Sequence, residues 1–342
     1  MKRKIVYVGF AFQHHKDTHA GYHQIKEYLN YDYVIDCQGF FDKASRPYES
    51  LSLLSKLKRK IIRRLFGFNN IPWFIIKVVY LNLINKNLVF HYIYGENIYF
   101  PWTRHFMRKG NKIVCTFHQP LSYFESDTRA MERLLKTDCI ILVGNSEVEQ
   151  FKKITGKDNV VYIPHGISTD FYNIDKDVKK EPIILTVGNW LRDYEFANKV
   201  YSNLLKLNSD VSIHIVSSPS NMKYITKNPR ITFMHGISDE ELRLEYLKCS
   251  VLFLPLKRYT ANNSLLEASS TGCNIVISSN YPDNSYIPEK YVTLSKMDVK
   301  DTTNTILKSH NYDYNEALSE FIKNHYGWEL VASKTYETLK NV

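Results

Sequence analysis

The sequence predicts an α/β fold with two doubly wound parallel-sheet domains. Short, continuous apolar runs alternate with helical segments along the chain, which is the pattern of parallel strands covered by helices on both faces. The chain has 342 residues, 44% of them hydrophobic, which is enough for two domains with separate cores. Residues 173–182 are rich in charge and end in Pro182, so they indicate a linker between two alternating patterns.

In the first half, a strand at 4–10, a helix at 22–29, a strand at 33–36 and an amphipathic helix at 50–66 are expected. Four more strands follow, each ending in a polar or glycine-containing loop: 88–93, 112–117, 139–143 and 160–163. Parallel strands bring their carboxyl ends to one edge of a sheet, where such folds bind ligands. We therefore expect ligand contacts from His19, Gly21, Glu96, His118 and Asn145. A lone histidine after a strand is often structural, and that interpretation of His118 stays open.

The second half repeats the alternation. Strands are expected at 183–187, 211–216, 231–234, 251–256 and 274–278, with helices at 195–207, 239–248 and from about 264. Two terminal helices between 318 and 339 are broken at 325–327. Gly272 falls where a helix end requires a residue that tolerates positive φ.

The βαβ unit at 251–279 holds the sharpest candidate site. Asn262, Asn263 and Ser264 stand at the helix start, where free N–H groups favour an anion such as a phosphate. Glu267 then has two interpretations. It either completes a capping box with Ser264, or it binds the hydroxyls of a ribose.

The composition of the chain indicates which kinds of binding partner and which cell compartment to expect. The net charge is +10, which points to an acidic partner. Much of it lies in the 50–66 helix, which is either a solvated basic face over core packing or a docking surface for an anionic membrane. Nucleic-acid binding is disfavoured because no aromatic residues interleave with the basic cluster. The five scattered cysteines indicate reduced thiols. No apolar run in the sequence is long enough to span a bilayer. The histidine-rich loop after the first strand fits no standard metal site.

Six segments together resemble the retaining glycosyltransferases of family four, which have the GT-B fold of two Rossmann-like domains facing across a cleft. The segments are VGNSEVEQF (143–151), VVYIPHGISTDFY (160–172), LTVGNWLRDYEFA (185–197), MHGISDEELRLEYLKCSVLFLPL (234–256), ANNSLLEASSTGCNIVIS (261–278) and the tail around Trp328-Glu329. The resemblance covers nearly the whole chain. It implies domains at 1–172 and 183–320, with C-terminal helices at 321–342 packing back on the N-terminal domain.

The resemblance also implies roles for individual residues. Glu267 matches the ribose-binding glutamate of an E-x7-E pattern, whereas Tyr259 stands where the first glutamate of that pattern is expected. Asn189 replaces a pyrophosphate-binding arginine, which leaves Arg192 as the cation for the leaving group. His118 matches a histidine near the sugar and the acceptor. The expected catalytic residues are His118, Arg192 and Glu267, and the expected nucleotide-sugar contacts are Gly188, Asn189, Lys257, Tyr259, Thr260, Asn262, Asn263, Ser264, Leu265 and Glu267.

The function implied is retaining, metal-independent transfer from a nucleoside-diphosphate sugar to a lipid-linked or saccharide acceptor in surface-polysaccharide synthesis. No cofactor is expected. The location implied is cytoplasmic, peripheral on the inner face of the cell membrane through the 50–66 helix. A nucleotide-sugar epimerase with the same fold and a non-catalytic glycosyltransferase-like partner subunit are the alternatives.

Overall fold

The chain forms two compact units in a computed structural model that describes residues 3–16, 18–40, 52–66, 72–189, 191–257, 262–279 and 286–342. One unit comprises Met1–Pro164 together with Val331–Val342, and the other comprises His165–Leu330. The domain and linker boundaries given above from the sequence remain predictions.

The first unit is built on a six-stranded, all-parallel sheet. Its strands are β1 Lys4–Gly9, β2 Tyr33–Asp36, β3 Leu88–Tyr92, β4 Lys112–Phe117, β5 Cys139–Leu142 and β6 Val160–Tyr162. Its helices are α1 Ile25–Tyr28, α2 Leu53–Phe66, α3 Phe74–Ile84, α4 Gly95–Ile98, α5 Leu121–Ser126, α6 Thr128–Leu135 and α7 Val148–Thr155. The strand order is β2-β1-β3-β4-β5-β6. The chain therefore changes direction across the sheet between β1 and β3, which is where doubly wound folds bind ligands.

The second unit has another six-stranded parallel sheet. Its strands are β7 Glu181–Val187, β8 Ser212–Val216, β9 Ile231–Met234, β10 Cys249–Leu256, β11 Asn274–Ser279 and β12 Thr293–Ser295. Its helices are α8 Tyr194–Leu207, α9 Asp239–Lys248, α10 Asn263–Ser270, α11 Val299–Ser309 and α12 Glu316–Tyr326. The last helix, α13 Trp328–Asn341, begins in this unit, but most of it belongs to the first. The order is β12-β11-β10-β7-β8-β9, so the change of direction lies between β7 and β10. β10 is buried along its whole length, as a central parallel strand should be.

The end of α13 belongs to the first unit. Val331, Ala332 and Leu339 are buried there, and Lys340 Nζ donates a hydrogen bond to the carbonyl oxygen of Arg3 at 2.6 Å. The sequence-based expectation that the C-terminal helix packs back on the N-terminal domain is confirmed for residues 331–342, whereas α12 belongs to the second unit. Gly327 separates α12 from α13, at the break predicted for the tail.

Several elements differ from the sequence-based expectation. The predicted helix at 22–29 is a 3₁₀ turn, Tyr22–Gln24, followed by the short α1. The helices α3 and α11 and the edge strand β12 were not predicted. No helix in the described part of the chain is long and apolar enough to cross a membrane.

Candidate nucleotide site and the polar cluster of the first unit

In the second unit, two loops meet where the sheet changes direction. The loop after β7 is bound to the end of β10 by backbone hydrogen bonds: the Lys257 amide donates to Leu191 at 2.9 Å and the Asp193 amide donates to Pro255 at 2.9 Å. An isolated antiparallel bridge joins Arg192 to Leu256. These bonds hold Arg192 at the carboxyl edge of the sheet, the usual place for a ligand in this topology.

Positive φ angles shape the loop after β7. Gly188 has φ 108° and Leu191 has φ 57°. A Cβ atom on Gly188 would lie 2.9 Å from Arg192 Nη2, closer than an unstrained contact permits. Leu191 is strained, because a side chain disfavours this region, and such strain is typical of functional loops. The loop therefore needs glycine at 188 to keep the Arg192 guanidinium in place.

Arg192 donates hydrogen bonds to several neutral oxygen atoms. Nη2 donates to Asn262 Oδ1 at 3.1 Å and to Ser264 Oγ at 2.8 Å, and Nε donates to the Val187 carbonyl at 3.1 Å. Burial lowers the pKa of this guanidinium, because an apolar surrounding disfavours its charge. These contacts hold the guanidinium at the amino end of α10, where its positive charge attracts an anion such as a phosphate.

The residue that caps α10 is Asn262. Its Oδ1 accepts a hydrogen bond from the Leu265 amide at 3.2 Å, so of the two interpretations of Glu267 the capping box with Ser264 does not form. Asn262 Nδ2 is buried and has no hydrogen-bond partner among the residues that the structure describes. The amides of Asn263 and Ser264 donate no hydrogen bond to any described residue. Free donors at a helix start favour an anion, so these groups can bind a phosphate.

Glu267 lies further along α10 and is only 3% exposed. Its Oε2 accepts a hydrogen bond from the Tyr246 hydroxyl of α9 at 2.8 Å. Burial raises the pKa of Glu267 to about 7, and the charge of Asp239 adds to the shift while the Tyr246 bond opposes it. The Tyr172 hydroxyl is also buried here and has no hydrogen-bond partner in the described part of the chain. A carboxyl held in this way can accept hydrogen bonds from ribose hydroxyls when it is ionised.

The remaining residues expected at the nucleotide site fall into three groups. Asn189 Oδ1 accepts hydrogen bonds from Ser217 Oγ at 2.8 Å and from the Ser218 amide at 2.5 Å, so it ties the β7 loop to the β8 loop. Lys257 is exposed at the end of β10, and the Leu265 side chain is buried. Tyr259 and Thr260 lie outside the described residues.

In the first unit, Glu96 and His118 meet where β3 and β4 end. Glu96 Oε1 accepts a hydrogen bond from the His118 amide at 3.2 Å and lies 3.6 Å from His118 Nδ1. Glu96 Oε2 is buried, and no described residue donates a hydrogen bond to it. Gly95 lets the start of α4 lie close to β4, since a Cβ on residue 95 would lie 2.6 Å from the Cβ of Cys115. The pair can bind a hydroxyl group, with Glu96 as the hydrogen-bond acceptor.

Aromatic rings surround His118. Its ring centroid lies 4.6 Å from that of Tyr94 and 5.0 Å from that of Tyr22. Gly21, before Tyr22, has φ 94°. His19 is partly buried in the same loop, whereas Asn145 is exposed after β5. Gly21 therefore begins the turn that brings Tyr22 to His118. No described contact joins Asn145 to Glu96 or His118.

Two sets of residues at these sites were not predicted from the sequence. Tyr246 binds Glu267 from a different helix, and no local pattern signals that contact. Beneath the first-unit cluster, buried His91 lies 2.8 Å from the Tyr31 hydroxyl and 2.8 Å from Thr116 Oγ1. Burial, aided by the charge of His118, lowers the pKa of His91 to about 3, so it stays neutral. Its position inside an apolar strand is the one signal that could have drawn attention to it.

Neither metal nor disulfide chemistry is indicated among the described residues. No group of three or more His, Cys, Asp or Glu side chains there could hold a metal ion. All five cysteines are buried and free, and Cys249 and Cys273 lie with their sulfur atoms 3.5 Å apart.

No family model matches this sequence, and no curated protein matches it either. Solved structures are similar over the whole chain. Sucrose-phosphate synthase from Thermosynechococcus elongatus has a TM-score of 0.65 and 14% identity over 99% of both chains. A glycosyltransferase from Rickettsia africae has a TM-score of 0.63 and 15% identity over 99% of this chain and 98% of its own. Anabaena HepE, solved with UDP and glucose, has a TM-score of 0.70 and 11% identity over 99% of this chain and 100% of its own.

These similar structures are GT-B glycosyltransferases. At this level of identity, the similarity shows the fold alone. The two-domain α/β fold predicted from the sequence is confirmed.

Proposed function

We propose that the protein is a glycosyltransferase. In this proposal, the second unit binds a nucleoside-diphosphate sugar and the first unit binds a lipid-linked or saccharide acceptor. The product would belong to a surface polysaccharide or a related glycoconjugate. UDP and glucose in the HepE structure support a nucleotide-sugar donor.

The observation that carries the proposal is the position of Arg192 at the amino end of α10. There the guanidinium lies with the first-turn amides and Asn262 Nδ2, for which no described residue is a hydrogen-bond acceptor, at the point where the sheet changes direction. All of these groups are hydrogen-bond donors, and they suit the oxygen atoms of a diphosphate. Glu267, on the same helix, supplies an acceptor for ribose hydroxyls.

The chemistry of transfer explains why donors are needed here. When the bond between sugar and phosphate breaks, negative charge builds on the leaving nucleoside diphosphate. Donors that are already fixed in place stabilise that charge without reorganisation, and removing one costs about 3 kcal/mol, or about two hundredfold in rate. The Arg192 guanidinium would supply this stabilisation without a metal ion.

For the acceptor we propose the cluster of Glu96 and His118 in the first unit. The buried Glu96 Oε2, which has no partner among the described residues, would accept a hydrogen bond from an acceptor hydroxyl. We propose that the sugar keeps its anomeric configuration and is attacked on the face that the diphosphate leaves. Double displacement requires two carboxyl groups about 5 Å apart, whereas this cluster contributes one, Glu96.

For the location we propose a cytoplasmic enzyme, peripheral on the inner face of the cell membrane. A lipid-linked acceptor would place the reaction at that surface. The basic helix α2 supports this location, since anionic lipids attract Lys and Arg side chains near a bilayer.

The first experiment is a thermal-shift screen of uridine, guanosine and adenosine diphosphates and their sugars. One nucleotide should raise the melting temperature, because a ligand that binds only the native state stabilises it. That donor is then incubated with acceptor candidates, and nucleoside diphosphate release is measured. Arg192→Gln should lower the transfer rate about two hundredfold.

Lys206→Gln is the matched control, because it removes one positive charge from an exposed position in the same unit. It should leave the rate unchanged. Conversion of the nucleotide sugar without diphosphate release would instead identify an epimerase. A protein that neither binds nor consumes any donor would be a non-catalytic partner subunit, and either result would refute the proposal.

A further inference from the structure

The helices α2 and α3 expose apolar side chains that nothing in the described structure covers. On α2, Leu53 is 88% exposed and Leu54 is 82% exposed, and Leu57 and Ile61 continue the same face. Ile62 is the one residue of Leu53–Arg64 that is buried. The apolar face of α2 therefore packs on no core residue among those the structure describes, which disfavours the solvated-basic-face interpretation given above.

The second helix, α3, has apolar side chains on all sides and only two polar ones, Lys77 and Asn82. Its inner face is anchored by Phe74, whose ring centroid lies 5.7 Å from that of Phe40 and 6.0 Å from that of Phe100. The opposite face is exposed and begins with Trp73 just before the helix. At helical spacing, its members are Trp73, Ile76, Lys77, Tyr80, Leu83 and Ile84. A helix that is apolar on all sides normally has a partner on each side.

Charge decides which partner fits. Between Glu49 and Glu96 the sequence has no acidic residue and eight basic ones: Lys56, Lys58, Arg59, Lys60, Arg63, Arg64, Lys77 and Lys86. α3 begins eight residues after α2 ends, so the chain keeps these helix ends within about 28 Å of each other. A surface with exposed leucines, a Trp and a Tyr beside the exposed Lys58, Lys60, Arg63 and Arg64 has the composition of a helix lying in a membrane interface.

We infer that the exposed faces of α2 and α3 dock onto an anionic lipid bilayer. Leu53, Leu57 and Ile61 enter the boundary between headgroups and acyl chains, and the basic residues beside them contact anionic headgroups. Trp73 and Tyr80 lie at headgroup depth, where amphipathic rings are favoured. This inference deepens the peripheral location proposed above, but it does not depend on glycosyl transfer.

The test is co-sedimentation of the whole protein with vesicles, without substrate. One vesicle is pure phosphatidylcholine and the other contains 30% phosphatidylglycerol. We expect binding to the second only. The variant Lys58→Gln, Lys60→Gln, Arg63→Gln should bind about a hundredfold more weakly, since each basic residue contributes about a fivefold gain. The matched control is Lys206→Gln, Lys227→Gln, Lys300→Gln, which removes the same charge from exposed positions of the second unit and should bind like the parent.

Tryptophan fluorescence reports whether side chains enter the bilayer. Trp73 is 59% exposed and Trp102 is 47% exposed, so both are in water in the free protein. Anionic vesicles should shift the emission to the blue. Trp73→Phe should abolish the shift, whereas Trp102→Phe should keep it. If both variants keep the blue shift, the insertion of α3 is overturned.

Three further outcomes would overturn the inference. They are equal binding to neutral and anionic vesicles, no binding to either, and a stable dimer that Leu57→Ser with Ile61→Ser dissociates. Nucleotide-induced thermal shifts are also measured on the variant Lys58→Gln, Lys60→Gln, Arg63→Gln. If vesicle binding fails while the nucleotide still stabilises the protein, the docking surface is wrong and the donor site stands.

Discussion

Glu267 owes its high pKa to burial, which the hydroxyl of Tyr246 offsets only in part. In water, a carboxylate is solvated by several donors, whereas here one tyrosine is the donor described. The ionised form is therefore disfavoured in the free protein. Ribose hydroxyls would add donors to the same carboxylate, so nucleotide binding should favour its ionisation.

This environment makes stability depend on pH. The folded-state pKa of Glu267 is about 7, above the ordinary 4.5, so the native protein binds this proton more tightly than the unfolded chain does. The stabilising contribution is complete below about pH 4.5 and is lost as pH rises through 7. Its full size is about 3 kcal/mol. Urea unfolding of the parent and of Glu267→Gln at pH 5 to 8 measures it.

We expect the difference in unfolding free energy between the parent and Glu267→Gln to fall as pH rises over that range. Glu240→Gln, at an exposed position of the same unit, should show no such trend. A constant difference between the parent and Glu267→Gln would contradict the raised pKa.

At the scale of elements, the loop after β7 decides where the Arg192 guanidinium lies. Gly188→Ala would place a methyl group 2.9 Å from Nη2 on a backbone of φ 108°. We expect a loss of about 1–2 kcal/mol in stability from the strained backbone. We also expect a weaker affinity for the nucleoside diphosphate, because the guanidinium must move. Calorimetric titration measures that affinity.

Gly236→Ala is the control for this substitution. Gly236 also has a positive φ, of 64°, but a Cβ there meets nothing within 4 Å. The control should lose stability and keep its nucleotide affinity. Equal affinities for the two variants would show that Gly188 does not position Arg192.

Which elements the sequence could predict depends on how each is buried. Strands such as β10 are buried on both faces, so they stand out as apolar runs between polar loops. α3 is apolar on every side and shows no helical period. β12 has only three residues, Thr293–Ser295, which is too short for a pattern.

The candidate site was predictable where function depends on position after a strand. Arg192, Glu96 and His118 all follow strands, and the topology brings each to a sheet edge. The helix cap was not predictable, because Asn262, Asn263 and Ser264 are all residues that can cap a helix. Tyr246 was not predictable either, since α9 meets Glu267 only through tertiary packing.

At the scale of the whole molecule, residues 331–342 complete the first unit although they end the chain. Deleting them removes the buried side chains of Val331 and Leu339, at a cost of about 3–6 kcal/mol. We expect faster hydrogen exchange in β1, β3 and β4, while β7 and β10 of the second unit exchange as before. Mass spectrometry of peptides from both units measures this.

Faster exchange in both units alike, or in neither, would contradict this division of the chain. Lys340→Gln is a milder companion variant, because it removes only the hydrogen bond from Lys340 Nζ to the Arg3 carbonyl. It should leave the exchange of β3 and β4 close to that of the parent.

The central claim is that a nucleoside diphosphate binds at the amino end of α10. A crystal structure of the protein with the nucleoside diphosphate chosen by the thermal-shift screen tests it most directly. We expect a phosphate oxygen within about 3 Å of an Arg192 guanidinium nitrogen and of a first-turn amide of α10, with a ribose hydroxyl within about 3 Å of Glu267. A nucleotide bound elsewhere in the second unit, with Arg192 and Glu267 keeping their present partners, would contradict the claim.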